Sequence, residues 1–229
     1  MSAAGSGNTV IVATKNAGKV REFAHAFAPL GLSVHSMFDY DHLPEIVEDG
    51  DTFRANARKK AESVGRALGL PVLADDSGLE VALLDGAPGV YSARYAGEGA
   101  SDRANNEKLL SELERIRKER PEAAGELYNR DVAGRLPDGA EVLSRARFVC
   151  ALAFYNPISR TFTESEGFAE GWIINRPFGE EGFGYDPLFW VPSYNRTMGE
   201  LSKDEKQSIS HRGQALKRLI DELGGLRTD

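Results

Sequence analysis

Apolar and polar positions alternate along the chain with two clear periods. Val10–Ala13 is a short β-branched run, the signature of a buried strand. Thr14–Gly18 follows as a loop. Val20, Phe23, Phe27 and Leu30 then recur at helical spacing, and Pro29 and Gly31 help to end that helix. Phe53, Ala57, Ala61, Val64 and Leu68 mark a second helix from about Thr52 to Leu68, closed by Gly69 and Pro71. Val72–Ala74 reads as another buried strand, ending in Asp75, Asp76, Ser77 and Gly78. Strand, helix, helix, strand in that order predicts an α/β sheet with crossover connections.

The second half continues the mixture. A third helix starts near Ser101 or Asp102 and turns Leu109, Leu113 and Ile116 inward, with Pro121 after its end. The stretch 121–144 is charged and broken by Gly and Pro. Its Pro137–Asp138–Gly139 turn signal predicts a surface excursion containing a hairpin. Phe148–Tyr155 reads as a strand apolar on both faces, and Thr161–Ile174 as one or two antiparallel strands. A last helix runs from about Ser210 to Leu223, with Leu216, Leu219, Ile220 and Leu223 inward and Gly224–Gly225 as its stop. The expected fold is therefore mixed α/β, one domain over 9–226 after a frayed tail at 1–8.

Composition narrows the classes. The chain has 229 residues, 41% hydrophobic and 28% charged, enough to bury a core without staples. No apolar run approaches the length that spans a bilayer, so no membrane is expected. The net charge of −7 argues against a nucleic-acid partner, because a protein tracking a phosphate backbone is usually basic. A small anionic ligand would need a local cluster of cations. One cysteine, Cys150 in an apolar run, makes no internal disulfide, and the first eight residues lack the features of a secretion signal. A reducing, cytoplasmic setting is expected. One Cys and four His leave little for zinc, so any metal should be hard and oxygen-bound, as magnesium is.

Several residues break local rules. Thr14–Lys19 lies between strand and helix, where N–H groups and the helix dipole favour an anion. Asn16 can equally be a helix cap. Lys60 follows Phe53 by two helical turns and so sits on the apolar face. It either snorkels along the helix edge or reaches a polar pocket; Asn56 flanks the same stripe. Asp75 and Asp76 at the end of a buried strand cost free energy unless a cation or N–H donors compensate. A turn and helix cap would also accept them. A divalent cation would explain both charges, with a further oxygen from the acidic stretch 45–51. Gly179–Pro187 surrounds Phe183 and Tyr185 with glycines, which permits either close approach to a flat ligand or aromatics tucked into the core. His211 and Arg212 fall in the first turn of the last helix, where cations are disfavoured. Lys206 stands just upstream, and Ser202 with Glu205 reads as a capping box.

Together and in this order, five segments resemble the inosine triphosphate pyrophosphatase family, whose members act on non-standard purine nucleoside triphosphates. They are Ala13–Glu22, Ala74–Leu79, Gly86–Tyr95, Gly182–Pro187 and Ile209–Leu216. The resemblance implies an elongated two-lobed α/β domain with a mixed, twisted central sheet flanked by helices, a cleft between the lobes as active site, and a homodimer. It implies cleavage of ITP, dITP and XTP to the monophosphate and pyrophosphate, with Mg²⁺, which cleanses the nucleotide pool.

Carried over by position, Thr14, Asn16, Lys19, Lys60 and Lys206 hold the triphosphate. Asp76 is the general base, and Glu48, Asp75 and Asp76 hold the metal. Ser77 lies against the substrate. Phe183 stacks on the base, Gly184 and Tyr185 complete that loop, and Asp186, His211 and Arg212 meet the base edge. On that reading Asp76 activates a water that attacks the α-phosphorus. Inosine and xanthine present a carbonyl acceptor at purine position 6, which Arg212 and backbone N–H groups can satisfy, whereas adenine presents a donor. The length of 121–144 departs from the family pattern. A non-hydrolysing nucleotide sensor, and a hydrolase of modified pyrimidine triphosphates, are the alternative functions. A pure binder of a polyanion gains little from an acidic pair.

Overall fold

The computed structural model describes residues 9–14, 17–40, 43–44, 46–126, 130–133 and 135–225. Its strands are β1 (Thr9–Val12), β2 (Ser33–Ser36), β3 (Val72–Val81), β4 (Val142–Asn156), β5 (Thr161–Ile174), β6 (Phe189–Val191) and β7 (Arg196–Thr197). Its helices are α1 (Ala17–Phe27), α2 (Phe53–Leu68), α3 (Asp102–Glu119), α4 (Pro121–Glu126), α5 (Arg130–Ala133), α6 (Lys203–Ile209) and α7 (His211–Gly225). The strands form one mixed seven-stranded sheet in the order β2-β1-β3-β4-β5-β6-β7. β1 pairs in parallel with β2 and with β3, whereas β6 pairs antiparallel with β5 and β7. The mixed α/β class read from the pattern is the class observed.

The chain divides into two compact units. One comprises residues up to Asp76, Cys150–Glu166 and the chain from Ala215. Its core joins Val10 and Val12 of β1, Phe23 and Phe27 of α1, Leu73 of β3, Cys150 and Leu152 of β4, and Leu216 and Leu219 of α7. Phe23 and Phe27 are fully buried, each worth roughly 1.5–3 kcal/mol relative to exposure. The other unit comprises Ser77–Val149 and Gly167–Gln214. Leu109, Leu113 and Ile116 of α3 pack there with Leu79, Val81, Phe148, Tyr185, Leu188 and Phe189.

Helix ends follow the local chemistry. The Thr52 hydroxyl accepts from Ala55 N–H, and Gly69 closes α2 in the left-handed conformation. Ser101 caps α3 and Ser202 heads a capping box on α6. Gly65 of α2 lies against the buried Tyr155: a Cβ there would stand 2.6 Å from Tyr155 Cδ1. Gly65→Ala is therefore expected to lose about 1–3 kcal/mol through overpacking. Thermal unfolding of the purified variant checks this, and a melting temperature at or above wild type would contradict it.

Two expectations change. Residues 121–144 hold no hairpin among the described residues. Two short helices, α4 and α5, precede the Pro137–Gly139 turn, in which Ala140 N–H donates to Pro137 O. The segment is not all surface either, because Val132 packs with Val142, Trp172, Ile174 and Trp190. The turn signal was real, but its flanks lack the alternation that would hold a second strand. β3 also does not end at Asp75. It runs through both aspartates to Val81, because Leu79 and Val81 resume the buried pattern.

Candidate active site

The first group of functional side chains lies in the unit that ends at Asp76. Successive residues of a strand point to opposite faces. Asp75 therefore shares the face of Leu73, which packs with α1, and Asp76 takes the other. The partners agree with this. Lys19 of α1 donates through Nζ to both Asp75 oxygens, at 3.0 and 2.8 Å. Lys60 of α2 stands 3.3 Å from Asp76 Oδ1 and 3.4 Å from Glu48. Each carboxylate has its own ammonium.

Lys60 is only 7% exposed, which decides between the two readings of its place on the apolar face. It does not snorkel; it ends in a carboxylate pocket. Burial works against its charge, but Asp76, Asp75 and Glu48 outweigh burial and hold its pKa above the usual lysine value. Asp76 moves in the other sense for an acid. Burial raises its pKa above the ordinary carboxylate value, and Lys60 and Asn56 only partly oppose that. A buried carboxylate kept more basic in this way suits proton abstraction.

Asn56, which the sequence shows only as a polar residue flanking the stripe, gains a role in the structure. Its Nδ2 donates to Asp76 Oδ2 at 3.1 Å, and its Oδ1 accepts from Gly50 N–H at 2.8 Å. It ties the acidic loop carrying Glu48 to the buried aspartate. The signal was present in the sequence as a second polar residue on the apolar stripe of α2. Thr14 follows the end of β1 and is half-buried. Asn16 lies outside the described residues.

The second group lies in the other unit. Gly182, Phe183 and Gly184 form a tight turn, with both glycines at positive φ. Asp186 is buried. Its Oδ2 accepts from Phe183 N–H at 2.9 Å and from the Lys206 ammonium. A Cβ on Gly182 would fall 2.1 Å from that oxygen, so the turn requires glycine there. Burial raises the Asp186 pKa, while Lys206, Phe183 N–H and Arg212 pull it back. Arg212 and His211 are both buried at the start of α7, and His211 stacks on Phe148 with ring centroids 5.1 Å apart. Lys206, expected on the triphosphate, stands here on Asp186 and 5.1 Å from the centre of the Phe183 ring.

The two aromatics of the glycine-rich loop part company. Phe183 is 49% exposed and borders a cavity of about 510 Å³ shared with Asp102, Asn106 and Leu110 of α3. Tyr185 is buried in the core, and its hydroxyl donates to Ser92 O at 2.8 Å. Burial holds that phenol in its protonated form, well above the usual tyrosine pKa. Ser92 belongs to the Gly86–Tyr95 segment, and its Oγ also accepts from Leu79 N–H at 2.8 Å. Ser77, half-buried, begins this unit on β3.

The donor set can be tested for a hard cation. Among the described residues no three His, Cys, Asp or Glu side chains converge as a ready-made metal site. Glu48 and Asp76 do meet at one point, where the Lys60 ammonium stands in for a positive charge. Two oxygen-bearing carboxylates suit magnesium, which commonly takes one or two carboxylates and completes its shell with water and substrate phosphates. The residues present fit that ion.

Fold and side chains together define a mixed α/β protein in which buried carboxylates are matched one by one with ammonium groups. The Ham1 family model matches residues 10–128 and 129–222, and the chain belongs to the Ham1 family. This establishes the resemblance drawn from the five sequence segments. The chain is 45% identical over 215 residues to the dITP/XTP pyrophosphatase of Bacillus anthracis, covering 93% of this chain and 95% of that one. It is 49% identical over 210 residues to the dITP/XTP pyrophosphatase of Exiguobacterium sibiricum, covering 92% and 94%. Among solved structures, the Staphylococcus aureus Ham1 protein superposes with a TM-score of 0.77 at 37% identity, over 96% of this chain and 100% of that one. A HAM1 protein from Coxiella burnetii gives 0.79 at 36% identity, over 95% and 99%. No helix among the described residues is long and apolar enough to cross a membrane.

Proposed function

We propose that this protein is a hydrolase of non-standard purine nucleoside triphosphates, converting dITP, ITP and XTP to the monophosphate and pyrophosphate. One observation carries the reading: Asp76, a buried carboxylate with a raised pKa, is held by Lys60 and Asn56 beside Glu48. The relatives named dITP/XTP pyrophosphatase support the substrate class.

Roles follow from chemistry. Lys19 and Lys60 offset the charge of the triphosphate, with Thr14 and Asn16 as hydrogen-bonding partners from the loop after β1. Asp76 accepts a proton from the attacking water as that water adds to the α-phosphorus. Glu48 and Asp76 would hold Mg²⁺, which supplies charge neutralisation on the phosphates when bound. Asp75 keeps Lys19 oriented. In the other unit Phe183 offers its exposed face to the purine. Arg212 and backbone N–H groups favour a carbonyl at position 6, while Asp186 keeps Lys206 and the Phe183 turn in place. Facing donor with donor would cost on the order of 1–3 kcal/mol per unpaired group, which disfavours adenine. A homodimer remains part of the proposal.

A panel of nucleoside triphosphates with separate detection of pyrophosphate and orthophosphate tests this. Expected are stoichiometric pyrophosphate from dITP, ITP and XTP in magnesium, with ATP and GTP much slower. Orthophosphate as the first product, or binding of dITP without turnover, would contradict it.

A further inference from the structure

Helix α3 opens with Asp102, Asn105 and Asn106, and asparagine is a poor choice inside a helix because its amide competes for backbone groups. Here those side chains reach other segments. Asn105 is buried; its Oδ1 accepts from Ala96 N–H at 2.8 Å and its Nδ2 donates to Ala93 O at 3.2 Å. Asp102 Oδ2 accepts from Gly184 N–H at 2.7 Å, and Asn106 Nδ2 donates to Gly184 O at 3.0 Å. Gly184 therefore has both its N–H and its carbonyl held by one helical turn.

The consequence falls on Phe183. Its own N–H is bound by Asp186, and the next N–H along the chain is bound by Asp102. Both peptide groups that carry the ring are fixed by carboxylates, while the ring itself is half exposed. Gly184 sits at φ +62°, a conformation a free glycine would exchange readily for others. Holding it removes that freedom before any ligand arrives, which lowers the ordering cost of binding.

We infer that Asp102 and Asn106 are positioning residues for the Phe183 platform, setting affinity for the purine through the ring they hold. This rests on the reading that Phe183 stacks on the base. The competing account gives Asp102 only a favourable place at the positive end of α3. Asp102→Asn separates the two, because it removes the charge but keeps an acceptor oxygen.

The experiment measures kcat and KM for dITP, inhibition by inorganic tripolyphosphate (which has no base), and melting temperature, for D102A, D102N, N106A, F183A and D102A/F183A. D102A and N106A are expected to raise KM about tenfold, the loss of one charged or neutral hydrogen bond, with kcat changed less than about twofold. Tripolyphosphate inhibition should be unchanged, D102N should restore KM to near wild type, and D102A should add nothing in the F183A background. If F183A raises KM while D102A and N106A do not, the positioning inference falls and the stacking reading survives. A lower melting temperature in both D102A and D102N with unchanged KM would establish the dipole account instead. F183A with unchanged KM overturns the stacking reading itself.

Discussion

Asp76→Asn is expected to lower kcat for dITP by about a thousandfold, within the range for removal of a general base. The substitution keeps the shape but only one acceptor oxygen, so either Asn56 or Lys60 loses its acceptor and faces the new amide NH2. The lost acceptor costs on the order of 1–3 kcal/mol, and removing a charge that burial disfavours offsets part of it; a melting temperature within about 10 °C of wild type is expected for a chain this long. The pH dependence has a definite sign. As the proposed base, Asp76 works only when ionised, and burial raises its pKa, so kcat/KM should climb with pH through a limb above the ordinary aspartate value. The variant should lose that limb. A rate profile from acid to neutral pH checks both points, and near-normal turnover in the variant would remove Asp76 from the chemistry.

Lys60→Met should be the second large effect. Removing the ammonium leaves Glu48 and Asp76 without the positive charge between them, and it removes the proposed phosphate partner. We expect kcat/KM to fall by about a hundredfold or more, on the scale of breaking a buried charged contact. Burial then raises the Asp76 pKa unopposed by Lys60, so the acid limb moves to still higher pH. Stability follows by linkage. A carboxyl with a raised folded-state pKa binds more protons folded than unfolded. Stability is therefore greatest below the unfolded pKa and falls as pH rises through the folded one. The variant should lose stability as pH rises above the ordinary aspartate range, by a wider margin than wild type. Urea titrations over a series from acid to neutral pH measure this. A snorkelling lysine would show neither effect, since methionine would cover the same apolar surface.

The elements were legible where one local signal dominated. Thr52 and Gly69 bracket α2, and Ser101 and Ser202 open their helices, because capping is decided within a few residues. β2 was not legible. Three of its four residues, Ser33, His35 and Ser36, are polar and none is fully buried, and their pairing with β1 is settled by contacts distant in sequence. The sequence pattern cuts β3 short because two aspartates look like a strand's end. They are tolerated inside it since Lys19 and Lys60, 56 and 16 residues away in the chain, neutralise them.

The site residues followed the same division. Lys60 and Asp76 broke the rules of their own elements and so drew attention. The role of Asn56 needed the loop at Gly50 to be seen beside α2. Phe183 and Tyr185 are indistinguishable as neighbours in a glycine-rich loop, yet one faces solvent and the other fills the core beneath Ser92. Only tertiary packing separates them. The pairing of each aspartate with a separate lysine also required the strand to continue, which placed the two side chains on opposite faces.

The point of water attack separates the possible products. Turnover of dITP in heavy-oxygen water, followed by mass spectrometry of both products, measures this directly. Attack at the α-phosphorus by the water that Asp76 deprotonates puts the heavy isotope in the nucleoside monophosphate and leaves pyrophosphate unlabelled. Label in the pyrophosphate, or release of labelled orthophosphate, would contradict it.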